Sequence, residues 1–457
     1  MCGIFGMIGC ENAAKLVYLG LYSLQHRGEE SAGIVSYDGE KIIYHKSMGL
    51  VSETFNEENL NSLKGDTAIG HVRYSTTGLS HSKNIQPFFA KHKKGNIVIA
   101  HNGNLTNTVD LQNEMEDKGS IFQTTMDSET ITHLIARASN NDFKNNIIEA
   151  LSRLEGAYSL ILMTDHLLVG ARDPHGFRPL CLGELDGSYI LASETCSLDL
   201  IDARYVRDIE PGEIVFIEKG KLESVKPFPK KKHSSCIFEY IYFSRPDSNI
   251  FGESVYITRK NLGKQLAKEY PVEADFVMPI PDSGNSAAVG YAQESGIPFE
   301  IGMIRNHYIG RTFIQPSQMV RDFRVKIKLN PIKDVLKGKR VIIVEDSIVR
   351  GTTSRSRVRT LRKSGVKEIH MRVSCPPIIS PCYYGIDFPN KEELIANRHS
   401  IEWIKDFIGV DSLEYLSIDG MLNSMPFKKT EFCTACFNGE YPTKLPKAFS
   451  KDMLEKV

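Results

Sequence analysis

Charge of one sign is what this chain lacks. Lys plus Arg number 56 and Asp plus Glu number 56 across its 457 residues. There is therefore no general electrostatic footprint for nucleic acid, and only a local basic groove for an anionic metabolite stays open. Long apolar runs are missing too: none reaches the roughly 18 residues that a membrane span needs, and stretches such as Leu160 to Met163 are core-sized. The opening Met1-Cys2-Gly3-Ile4-Phe5-Gly6 is apolar but has no basic leading segment of the kind a secretory signal carries. No membrane association and a cytoplasmic setting are expected. Internal repeats and low-complexity tracts are absent, and 41% hydrophobic residues with interspersed charge exclude the disordered and fibrous classes. Cysteine is sparse, at nine residues. In a reducing compartment, clustered cysteines are better read as nucleophiles or metal ligands than as disulfides.

The length exceeds one ordinary core and suits two domains. Strand-like runs broken by Gly and polar turns fill the first half: Lys41 to Tyr44, Thr67 to Val72, Asn96 to His101 and Tyr158 to Thr164. Helical patterns sit at Ala13 to Gln25, Ser128 to Ser139 and Asn146 to Leu154. Lys226 to His233, with four lysines and two prolines, interrupts the pattern and reads as a linker, which sets expected domains at 2–230 and 231–457. Beyond it, strand-like runs (Phe276 to Pro279, Val341 to Val344, Glu368 to Val373) alternate with helical stretches (Arg259 to Tyr270, Ser286 to Ser295, Thr353 to Ser364). That alternation predicts an α/β domain with helices on both faces of a parallel sheet. The tail, rich in Lys, Pro and aromatics, is the least readable part.

Cys2 follows the initiator methionine, and its small size makes removal of Met1 expected. The chain would then begin with a thiol and a free amine on one residue. Their ordinary pKa values, near 8.5 and 8, let the amine serve as base for the thiol. Four polar clusters lie in the same half: His26-Arg27-Gly28, His71 to Thr76, His101-Asn102-Gly103-Asn104 and Thr125 to Glu129. Read blandly, Arg73 and Asp127 are solvated charges and Asn102-Gly103 is a two-residue hairpin turn.

The opening Cys2-Gly3-Ile4-Phe5-Gly6, followed by these clusters in this order, resembles the glutaminase domain of the N-terminal-nucleophile amidotransferases. The resemblance implies a four-layer αββα sandwich with Cys2 as nucleophile. It implies Arg73 as the clamp on the glutamine carboxylate, a task suited to its bidentate fork, and Asp127 as partner of the glutamine amino group. Asn102 and the amide of Gly103 would form the oxyanion hole, with Gly103 also lining the glutamine site.

In the second half, the buried-strand pattern Val341-Ile342-Ile343-Val344 runs into Glu345-Asp346 and then Ser347-Ile348-Val349-Arg350-Gly351-Thr352-Thr353 before a helix. Carboxylates at the end of a parallel strand face the ligand crevice of an open α/β sheet. The following loop aims backbone NH groups and a helix N-terminus at an anion. A sugar diol beside a phosphate suits that geometry, although acidic pairs also end strands in nucleotide hydrolases and a bare helix cap is the plain alternative. The stretch resembles the phosphoribosyl pyrophosphate motif of type I phosphoribosyltransferases, implying that Glu345 and Asp346 hold ribose hydroxyls or approach Mg²⁺ while Ser347, Arg350, Gly351, Thr352 and Thr353 hold the 5-phosphate. No Walker A pattern competes. Pro279 to Asn285 resembles the same family's pyrophosphate loop, adding Asp282 and Ser283, with Ser283 joining Glu345 and Asp346 at Mg²⁺. Charge neutralisation of pyrophosphate makes that ion chemically expected. Arg305 to Arg324, with His307, Arg311 and Arg321, reads as a loop closing over that charge or as a solvated basic surface.

Cys433-Thr434-Ala435-Cys436 has the spacing that lets two thiolates reach one metal centre. Spacing alone recruits neither Cys236 nor Cys382, leaves Cys375 competing with Cys382, and leaves zinc and iron equally open. Taken whole, from Cys2 to about Pro446, the chain resembles the Bacillus-type iron–sulfur branch of the amidophosphoribosyltransferases. That resemblance implies a [4Fe-4S] cluster on Cys236, Cys382, Cys433 and Cys436, and leaves Cys10, Cys181, Cys196 and Cys375 in the core. Some cluster-bearing relatives carry a propeptide; here only Met1 precedes Cys2, so self-cleavage is not expected. The implied reaction is glutamine hydrolysis and transfer of ammonia to phosphoribosyl pyrophosphate, giving 5-phosphoribosylamine, pyrophosphate and glutamate at the first committed step of purine synthesis. A homotetramer and purine nucleotides as feedback inhibitors are implied with it. A glucosamine-6-phosphate synthase would need a sugar-isomerase second half, against the 341–353 motif. A non-catalytic purine-sensing regulator on the same fold would not need an intact Cys2, Arg73, Asn102 and Asp127.

Overall fold

Two facing antiparallel sheets form the heart of the first half in the computed structural model, which describes residues 1–75, 78–93, 95–218, 220–306, 329–445 and 454–455. One sheet has seven strands in the order 204–208, 181–185, 188–192, 3–8, 67–73, 31–37 and 42–48; the other has six, in the order 221–225, 214–218, 168–172, 156–163, 95–105 and 88–92. Ile4, Ile69, Val98, Ala100, Ile161 and Val215 meet between the sheets. The helix Ala13–Ser23 covers the outer face of the first sheet through Val17 and Leu21. The helices Asp127–Arg137 and Phe143–Ser152 cover the outer face of the second through Ile131, Ile135 and Ile147. This is the expected αββα sandwich. Each sheet is covered on both faces, so inner strands such as Gly156–Met163 are buried at every position and read as continuous apolar runs rather than alternating ones.

Residues 226–234 contain neither helix nor strand, but they are not loose: His175 Nδ1 lies 2.9 Å from the Lys232 carbonyl, and the Ser234 amide donates to the His175 carbonyl at 2.8 Å. The second half then forms a four-stranded parallel sheet, 276–279, 340–345, 368–373 and 412–415 in that order. The helices Val255–Glu269, Asn285–Ser295 and Thr352–Lys363 accompany it. Val341, Ile342, Ile343 and Val344 are fully buried at its centre, so the carboxyl end of this strand emerges where the sheet is best supported.

Candidate functional site

Cys2 precedes the central strand Gly3–Ile8, whose register pairs Gly3 with Val72 and so brings Arg73, the end of its own strand, beside Cys2. Met1 still precedes Cys2 and is buried in the apolar cluster of the second half. The Cys2 amide donates to Asn102 Oδ1 at 3.3 Å, and its thiol lies 3.5 Å from the Tyr74 carbonyl. Burial pushes the Cys2 thiol pKa up, and burial pushes the Met1 terminal amine down to about 4. The thiol is therefore held neutral, while Cys2 itself carries a backbone amide behind Met1.

Asn102 and Gly103 lie inside the strand Gly95–Leu105, not in a hairpin turn, which removes the bland reading. Asn102 Nδ2 is buried and has no hydrogen-bond partner among the described residues. A buried, unsatisfied amide costs about 1–3 kcal/mol unless a group from outside the protein satisfies it. Asp127 opens its helix, accepts from the Leu105 amide at 3.0 Å and lies 3.4 Å from His101 Nδ1. Burial would raise its pKa, but His101 and that amide hold it below the usual carboxylate range. Arg73 donates to the carbonyls of Gly78 and Leu79 at 3.1 and 3.2 Å. Thr76 lies outside the described residues. A neutral thiol, a guanidinium, an ionised carboxylate and a buried amide donor are thus neighbours.

The second cluster forms at the carboxyl end of strand Arg340–Glu345. Gly351, with φ +71, turns the chain into the helix Thr352–Lys363, a left-handed conformation that glycine adopts without strain. Ser283 Oγ donates to Asp346 Oδ2, and Ser347 Oγ to Asp346 Oδ1. Ser283 and the acidic pair therefore share one locus. Glu345 is buried and paired with Arg357 at 2.8 and 3.0 Å; burial raises its pKa to about 7, with Arg357 opposing and Asp346 adding to the rise. Asp282 lies apart, exposed and paired with Arg305, beside the cis peptide Pro281–Asp282. Arg350 turns to Glu393 at 2.8 Å. His307, Arg311, Arg321 and Arg324 lie outside the described residues, so the closing-loop reading rests on sequence alone.

The four cysteines approach one another. Cys236 and Cys433 are register neighbours in a two-stranded parallel pair. The Ile379 and Ser380 amides donate to the Cys436 carbonyl at 2.9 and 3.1 Å, carrying the chain on to Cys382. Burial raises the thiol of Cys236 to about 11, with Arg178 opposing. Among the described residues no group of three His, Cys, Asp or Glu side chains is placed to hold a metal ion. Burial raises the Cys436 thiol, and Cys433, Cys236, Cys382 and Cys375 add to the rise. Cys181, Cys196 and Cys375 are buried and Cys10 is half-buried.

Three features escaped sequence reasoning. Glu30 accepts from the Ser75 amide and hydroxyl at 3.2 and 2.9 Å, with its other oxygen buried and unpartnered among the described residues. Arg357 neutralises Glu345. At the domain junction, Arg27 donates to the Cys2 carbonyl at 2.9 Å, to Glu194 at 2.5 Å and to Glu239 at 2.9 Å. The cluster at His26-Arg27 was visible; its partners, 167 and 212 residues away, carried no local signal.

Two family models match the chain: a glutamine amidotransferase domain over residues 71–199 and a phosphoribosyl transferase domain over residues 253–393. The amidophosphoribosyltransferase of Bacillus subtilis is 49% identical over 97% of this chain and 94% of its own. Amidophosphoribosyltransferase 1, chloroplastic, of Arabidopsis thaliana is 52% identical over 97% of this chain and 79% of its own. The solved structure of glutamine phosphoribosylpyrophosphate (PRPP) amidotransferase from B. subtilis, complexed with ADP and GMP, matches with a TM-score of 0.92 at 48% identity, covering 98% of each chain.

Proposed function

Because the chain belongs to the amidophosphoribosyltransferase family, enzymes that move glutamine-derived ammonia onto phosphoribosyl pyrophosphate in purine synthesis, we propose the following residue roles in that reaction. Once Met1 is removed, the Cys2 thiol attacks the glutamine amide carbon and gives its proton to the Cys2 amine. Asn102 Nδ2 and the Gly103 amide receive the oxyanion, an element typically worth about 3–4 kcal/mol in the barrier. Ammonia leaves with the proton returned to it, and water hydrolyses the glutamyl thioester to glutamate and free thiol. Arg73 holds the glutamine carboxylate and Asp127 its amino group. The observation that carries this reading is the buried, unpartnered Asn102 Nδ2 beside Cys2.

Ammonia then displaces pyrophosphate from the ribose. Glu345 and Asp346 hold the ribose hydroxyls, while Ser347, Arg350, Gly351, Thr352 and Thr353 hold the 5-phosphate and Asp282 and Ser283 the pyrophosphate. Ser283, Glu345 and Asp346 would hold Mg²⁺, which supplies charge neutralisation to the leaving group; the contact between Ser283 and Asp346 supports this. Met1 lies in the second domain's apolar cluster, so its removal leaves an apolar space between Cys2 and that domain. Replacing Cys2 by Ala should abolish synthesis from glutamine and spare synthesis from free ammonia. Equal loss of both in a folded variant refutes the division of labour.

Cys236, Cys382, Cys433 and Cys436 would hold a [4Fe-4S] cluster, the four-thiol set of such centres; their mutual approach supports it. We place the domain boundary at 230/231, within the stretch that lacks helix and strand. The Bacillus relative's complex with ADP and GMP supports purine nucleotides as inhibitors, and the family resemblance supports a homotetramer. Among the described residues no helix is long and apolar enough to cross a membrane; the bacterial and archaeal relatives support a cytoplasmic enzyme.

A further inference from the structure

The pair assigned above to the oxyanion hole is seated on a segment of the other domain. Gly103 has φ +157 and faces the neighbouring strand so closely that a Cβ would fall 2.1 Å from the Ala157 carbonyl oxygen. Gly385, with φ +108, meets the same residue: a Cβ there would fall 3.0, 3.1 and 3.2 Å from the carbonyl oxygen, carbonyl carbon and Cα of Gly103.

Residues 382–385 are fastened to the first domain at several points. Asn104 Nδ2, one residue beyond Gly103, donates to the Tyr383 carbonyl at 3.1 Å. Arg178 donates to the Tyr384 carbonyl from Nε and a terminal nitrogen at 2.8 and 2.5 Å. The Tyr384 ring stacks on Phe177, with centroids 4.1 Å apart and planes 18° from parallel. Within the segment, the Tyr384 amide donates to Cys382 Sγ at 3.3 Å. The Tyr384 hydroxyl lies 2.9 Å from Thr443 Oγ1, and Tyr441 donates to the Pro381 carbonyl at 2.7 Å. The segment is thus braced from its own side as well.

We propose that residues 382–385 are a positioning element for the glutaminase centre, with Gly385 setting the place of the Gly103 backbone and hence the direction of its amide. This rests on the oxyanion role given to Asn102 and Gly103. A side chain at 385 has to stand in a left-handed conformation and push on Cα, C and O of Gly103. Gly385 and Asn104 act only through Gly103, whose amide meets the oxyanion, so the defect falls more on the transition state than on ground-state affinity.

Three variants of the full-length enzyme test this. Gly385→Ala should lower kcat for glutamine hydrolysis, measured with phosphoribosyl pyrophosphate present, by roughly 10- to 100-fold. KM for glutamine should rise far less than kcat falls, and ammonia-dependent synthesis should stay at the parent rate. Alkylation of Cys2 by iodoacetamide should also keep its parent rate, because displacement at a saturated carbon develops no oxyanion. Asn104→Ala, which removes the tie to the Tyr383 carbonyl without backbone strain, should give the same pattern to a smaller degree, and it carries the test if the Gly385 variant is insoluble. Asn102→Ala separates the two claims. A parental kcat in Asn102→Ala overturns the oxyanion reading itself. A depressed kcat there, with parental kcat in the Gly385 variant, or in the Asn104 variant where that one carries the test, overturns the positioning role alone.

Discussion

Replacing Glu239 by Ala tests how the two domains are held together beneath Cys2. Its carboxylate accepts from Arg27 at 2.9 and 3.1 Å, from Arg178 at 3.4 Å and from Ser244 at 2.9 Å. Arg27, Arg178, Glu194 and Glu239 are all fully buried, so solvent screening gives no discount. Burial alone would lower the pKa of Arg27, but Glu239 and Glu194 more than compensate and hold it above the usual guanidinium value. Without Glu239, Arg27 keeps Glu194 as its one carboxylate and Arg178 keeps only the Tyr384 carbonyl. Removing one partner of a buried pair typically costs about 3–5 kcal/mol, a large part of the roughly 5–15 kcal/mol that stabilises a domain. At about 2–4 °C per kcal/mol for domains of this size, thermal unfolding followed by circular dichroism should shift down by roughly 6–20 °C. The shift should change little between low and high salt, since buried pairs are weakly screened. Arg27 also holds the Cys2 carbonyl, so glutamine-dependent synthesis should fall further than ammonia-dependent synthesis. A variant that melts within about 2 °C of the parent, less than about 1 kcal/mol, would show that the network is dispensable and refute the reasoning.

The other expectations concern the second domain. Asp346→Asn should weaken use of phosphoribosyl pyrophosphate with either nitrogen donor, because it removes the charge that Ser283 and Ser347 converge on; unchanged ammonia-dependent kinetics would move the substrate site elsewhere. Glu345 has its pKa raised to about 7 by burial, so it is largely protonated below that pH and ionised above it. Affinity for phosphoribosyl pyrophosphate with Mg²⁺ should rise from pH 6 to pH 8 with proton release, and Glu345→Gln should flatten that rise; calorimetry in buffers of different ionisation enthalpy reads both, and an equal slope in the variant sinks the idea. Anaerobically purified protein should be brown, with about four irons per chain, and Cys436→Ser should be unstable, since structural metal binding contributes about 10 kcal/mol or more to folding. Stoichiometric zinc without iron or acid-labile sulfide would overturn the cluster.

Much of the architecture was legible because it is written locally. The run Val341 to Val344, its acidic pair and the glycine before a helix are contiguous, so strand, crevice and anion loop follow from neighbours in the chain. The helices around residues 13–23, 127–137 and 352–363 likewise announce themselves by spacing. Cys2 is legible because a terminal thiol and amine need no fold to be adjacent. Arg27 meets Glu239 across 212 positions, Arg357 reaches back to Glu345 from the far side of a helix turn, and Gly385 rests on Gly103 from another domain. None of these pairings has a period or a spacing, because they arise from how finished layers dock and which buried charges must find partners. The sequence by itself determined the elements, their order and the chemistry each could offer. Only the tertiary structure decided which oxygen each guanidinium holds and which backbone Gly385 rests against, since burial makes those choices costly to leave unmade.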